Sequence, residues 1–65
     1  MITNDEELQA TQERILWMQK ILAGMRLKAK PSEFEMASQG YRMELERMHR
    51  EVMEYLTTQP EKISA

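Results

Sequence analysis

The sequence predicts an all-α fold: a two-helix antiparallel hairpin that assembles as a dimeric four-helix bundle. Three observations carry this. Apolar residues recur at alternating steps of three and four along two long segments, the seam spacing of packed helices. One short proline-containing break, "AKPS" at 29–32, separates those segments. Glycine and proline are scarce, two of each in 65 residues, and good helix formers (Met, Leu, Glu, Gln, Lys, Arg, Ala) dominate. The whole of residues 1–65 reads as one domain.

Helix 1 is expected over about 4–29. Thr3 and Asn4 are both good N-cap types, each with a glutamate three places on (Glu6 and Glu7), so either pair can form a capping box. Asp5, Glu6 and Glu7 put negative charge at the positive end of the helix dipole, and Arg26, Lys28 and Lys30 put positive charge near the other end. Gly24 offers an earlier stop. The turn is expected at 30–32, because Pro31 disfavours helical geometry at Lys30. Ser32 then reads as a fresh N-cap with Glu35, starting helix 2 over about 33–57. Thr57, Thr58, Gln59 and Pro60 end it, and 58–65 reads as a frayed tail. Short connections of this kind make antiparallel neighbours.

The seam of helix 1 is Leu8, Thr11, Ile15, Met18, Leu22, Met25 and Ala29. That of helix 2 is Phe34, Ser38, Tyr41, Leu45, Met48, Val52 and Tyr55. Facing each other, the seams account for one apolar stripe per helix. They leave a surplus: Leu16, Trp17, Ile21, Ala23 and Leu27 in helix 1, and Met36, Met43, Met53 and Leu56 in helix 2. A helix that is apolar on more than one side is normally buried on more than one side, and clustered exposed apolar side chains mark interfaces. Leu16, Trp17, Ile21, Met36 and Met43 are therefore the expected interface, with another copy of the chain or another protein as partner. Met-rich surfaces suit partners that need an adaptable fit.

Composition excludes several function classes. The chain has no cysteine and one histidine, His49, so neither a disulfide staple nor a Cys/His zinc site is available. Nine basic and eleven acidic side chains give a net charge of −2, against nonspecific binding of nucleic acid or anionic membranes. Arg26, Lys28 and Lys30 form the best basic cluster, and dipole complementarity accounts for it. No apolar run approaches the ~20 residues of a membrane span. The opening "MITNDEELQA" lacks the basic and apolar regions of a secretory signal, and the expected location is cytoplasmic.

No glycine-rich phosphate loop is present, and no serine has a histidine base placed by local sequence. Glu46 and His49 form an E-x-x-H step, a spacing used in carboxylate-bridged di-metal sites of four-helix bundles. Their heptad phase sets them beside the seam, so they read as a solvated face. The expectation is a non-enzymatic protein without cofactor or metal. Among exposed charges, Glu46–Arg50, Arg42–Glu46, Arg47–Glu51 and Arg50–Glu54 stand four residues apart, each pair adding a few tenths of a kcal/mol.

The start "MITNDEELQATQERI" resembles the opening of bacterial helix-turn-helix proteins, among them antitoxin-like transcriptional regulators, in Ile2, Thr3 and Asn4. The segment "SQGYRMELERMHREVMEYL", with Glu44-Leu45 and Glu54-Tyr55, is similar to their second helix. The resemblance covers most of residues 2–56. It implies a helical pair that aids assembly ahead of a DNA-binding domain. Such a domain has no counterpart here, so DNA binding does not carry over. The resemblance implies a stand-alone assembly segment, or a regulatory subunit that binds a toxin or a transcription factor.

Overall fold

A computed structural model describes residues 1–59. Within them are two helices, α1 (Asp5–Lys28) and α2 (Pro31–Thr57), and no strand. The helices fold back on each other as an antiparallel hairpin. Both expected seams turn inward, every one of their residues being buried or half-buried. Ile15 of α1 and Leu45, Met48 and Val52 of α2 form the buried core, with Leu8, Met18 and Leu22 packed against it. Met48 is the most buried, at 3% exposure. Truncating such a side chain to alanine typically costs 2–5 kcal/mol.

The start of α1 merges the two expected caps. Asn4 is the N-cap, and its Oδ1 accepts from the Glu7 N–H at 2.7 Å. The Glu7 carboxylate reaches one residue further back than a standard box, accepting from the N–H and the hydroxyl of Thr3, both at 2.8 Å. These bonds, the Thr3 N–H foremost, hold the Glu7 carboxyl below its usual pKa. Ile2, just outside the cap, also packs on the core. With Leu8 in the same cluster, this is a hydrophobic staple displaced by one residue.

Gly24 does not end α1. The helix runs through it to Lys28, one residue short of expectation, and the Ala29 N–H closes the last turn on the Met25 carbonyl at 2.9 Å. The turn is tighter than expected, and the assignment of Ser32 as N-cap is corrected. Lys30 is the N-cap, Pro31 is already the first helical residue, and no side chain caps this end. The reason lies in proline itself. Its ring fixes φ near the helical value and it lacks the N–H that a first-turn residue would leave unpaired. The same ring keeps Lys30 extended, at φ −74° and ψ 152°. The Phe34 N–H bonds the Lys30 carbonyl at 2.8 Å, which leaves Ser32 inside the first turn.

At the open end, Tyr55 near the close of α2 donates its hydroxyl to Asp5 Oδ1 at 2.7 Å. This clasp joins residues 50 positions apart. The Thr57 and Thr58 hydroxyls bond the carbonyls of Met53 and Glu54, at 2.6 and 2.7 Å, at the expected end of α2. From Pro60 onward the expected tail lies outside the described residues.

Two predictions follow from the ends of the helices. Asn4→Ala is expected to cost about 1 kcal/mol, the usual value of an N-cap. Ser32→Ala should stay within about ±0.5 kcal/mol, as for an exposed site without a special role. Denaturant unfolding followed by circular dichroism compares the two; a larger loss at Ser32 would contradict the proline-started helix.

The second concerns the clasp. The hydrogen bond to Asp5, helped by partial desolvation and the Asp5 and Glu7 charges, raises the Tyr55 pKa above its usual 10.0. A raised folded-state pKa means the folded chain keeps the proton longer than the unfolded chain. The stabilisation is therefore complete below pH ~10 and is lost as pH climbs through the folded value. Tyr55→Phe should lower the melting temperature at neutral pH, and the gap to wild type should shrink above pH 10. A gap that stays constant to pH 11.5 would show that the phenol proton plays no part.

Candidate protein interface

The inner faces of the hairpin consume only one stripe of each helix, and the surplus apolar side chains remain outside it. Trp17 is 61% exposed, Met36 78%, Met43 70% and Leu16 52%. Ile21 is half-buried at the edge of the seam. Leu27, Met53 and Leu56 are exposed as well.

These residues do not form one patch. At about 100° per residue, Trp17 and Ile21 share one flank of α1 with Ala10, Arg14 and Gly24. Leu16 falls on the other flank. On α2, Ala37, Gly40, Glu44, Arg47 and Glu51 occupy the flank that continues the Trp17 side. Two shallow grooves show this adjacency. Toward the open end, Glu7, Ala10 and Arg14 of α1 line a groove with Arg47 and Glu51 of α2. Toward the turn, Met18 lines another with Ala37, Gly40, Tyr41 and Glu44. Met36 and Met43 lie on the back of α2. The structure thus brings Trp17 and Ile21 together, adds Ala37 and Gly40 to their side, and separates Leu16, Met36 and Met43 from them.

The composition of the shared flank changes along its length. Toward the turn it carries Trp17, Ile21 and Gly24 beside Ala37 and Gly40, with Lys28 and Glu33 in the same phase at its end and Glu44 lining the same groove. Near the open end it is ionic. Arg47 bridges Glu44 at 2.9 Å and Glu51 at 3.0 Å, and these two carboxylates raise its pKa, Glu44 most. The contacts are exposed, so their contribution is small. Their effect is to keep this half of the flank charged and well solvated.

Sequence reasoning found Arg47–Glu51 and Arg42–Glu46, the latter at 3.8 Å. It missed Arg47–Glu44, which the three-residue spacing permits. It also missed Ala37 and Gly40, because small residues give no hydrophobic signal of their own. The signal was available in their phase, one flank away from the seam.

Glu46 and His49 are both exposed on the Leu16 side. Among the described residues no three His, Asp or Glu side chains gather into a metal-binding group. No helix among them is long and apolar enough to cross a membrane. Comparison of the chain with protein-family models, curated proteins and solved structures gives no match.

Proposed function

We propose that this chain is a small non-enzymatic interaction protein of the cytoplasm that associates with itself through the flank carrying Trp17 and Ile21. One observation carries the reading. A tryptophan that is 61% exposed shares one flank with Ile21, in a hairpin whose described residues bury four side chains in its core. A domain this small has a high ratio of surface to core, and oligomerisation is a common remedy where disulfides and metals are missing. Tryptophan is also over-represented among the side chains that dominate binding energy. A dimeric four-helix bundle is the assembly this predicts.

A second reading rests on Met36 and Met43. Both stand exposed on the back of α2, where pairing through the Trp17 flank leaves them uncovered. Flexible thioether side chains suit an adaptable contact, in line with a regulatory subunit that holds a further protein, such as a toxin or a transcription factor.

The test is association against concentration. Sedimentation should give a species heavier than the 7.7 kDa chain at micromolar concentration, with a melting temperature that rises with concentration because association and folding are linked. Trp17→Ala should weaken association by at least ~2 kcal/mol, whereas His49→Ala should leave it unchanged. Trp17 fluorescence should shift to the red on dilution. A folded monomer at all concentrations would remove the reading.

A further inference from the structure

We infer that the hairpin opens from its turn: residues 23–40 unfold and refold as one unit while the open end stays closed. The turn half is then the part of the molecule that changes shape without loss of the fold.

Burial is the first support. Among the described residues the buried side chains are Ile15, Leu45, Met48 and Val52, all in the open-end half. Ile2, Leu8, Met18 and Leu22 pack against them, and the cluster ends at Leu22. Beyond it the seam holds Met25, Ala29, Phe34, Ser38 and Tyr41, each only half-buried. Ala29 and Ser38 offer little apolar area, and the Ser38 hydroxyl bonds the Glu35 carbonyl of its own helix at 3.3 Å. Stability follows buried apolar contact, and segments poor in it open first.

The helices themselves are also weaker there. Gly24 and Gly40 each stand inside a helix, where glycine is a poorer helix former than alanine. Neither has a positive φ, and an added Cβ would meet nothing within 4 Å at either. α2 starts without a side-chain cap, whereas at the start of α1 Glu7 ties Asn4 and Thr3 together. The bond from Tyr55 to Asp5 lies at the open end as well.

The covalent turn does not outweigh this difference. Opening at the turn leaves a loop of about 18 residues closed by the open-end contacts, and closure entropy grows only with the logarithm of loop length. Opening from the other end would give up the Tyr55 clasp, the Ile2 contact and the buried cluster together. Opening at the turn bares Met25 and Phe34, half-buried in the closed hairpin, next to Leu27 and Met36, which are exposed already.

The test is native-state amide hydrogen exchange on the full chain, at a concentration where its helicity is complete. Amides of 24–28 and 35–40 should exchange at least about tenfold faster than those of 45–52, as expected of a separate opening unit. Two sets of variants separate this from one cooperative transition. Tyr55→Phe weakens the open end, which stays closed while the turn half opens; it should speed exchange at 45–52 and leave 24–28 and 35–40 unchanged. The double variant Gly24→Ala with Gly40→Ala should slow exchange at 24–28 and 35–40 by at least about fivefold, through helix propensity alone. Equal protection of the two halves, a Tyr55→Phe protein in which both speed up alike, or a double variant with unchanged exchange at 24–28 and 35–40 would each overturn the inference.

Discussion

Two helices have only one surface between them, and that limit governs the rest of this molecule. Whatever the seam does not cover must meet water or another chain. The seam is well matched: Ile15 opposes Leu45, Met48 and Val52, with Leu8, Met18 and Leu22 at the margins. No disulfide can add to it. The ends of the hairpin are therefore held by directional bonds, Asn4 and Thr3 with Glu7 at one helix start and Tyr55 with Asp5 across the open end. These polar contacts fix where the helices begin and how they align, while the apolar seam supplies the driving force for their contact.

The surplus apolar surface is unevenly distributed, and the distribution matters more than the amount. On the Trp17 side it stands beside the small residues Gly24, Ala37 and Gly40, with Lys28 at the turn end of the same flank. On the Leu16 side it is broken up by Glu46 and His49, both exposed. The Arg47 bridge to Glu44 and Glu51 keeps the open-end half of the Trp17 flank hydrated.

The sequence by itself determined the two helices, their seams and their antiparallel order. Periodicity is local information: a heptad step fixes the phase of each side chain once the backbone is helical. A cap at Thr3 or Asn4 was equally legible, since a capping box is written within four residues; the structure chose Asn4 and joined Thr3 to it through Glu7. The choice between a cap at Ser32 and a start at Pro31 was not, because both are favourable local chemistries and only the closure of a two-residue turn decided between them. The grouping of Trp17 and Ile21 with Ala37 and Gly40, and their separation from Leu16, Met36 and Met43, belongs to tertiary structure. So does the bond from Tyr55 to Asp5. Each depends on which flank of one helix lies beside which flank of the other, and that relation exists only after the seam has closed.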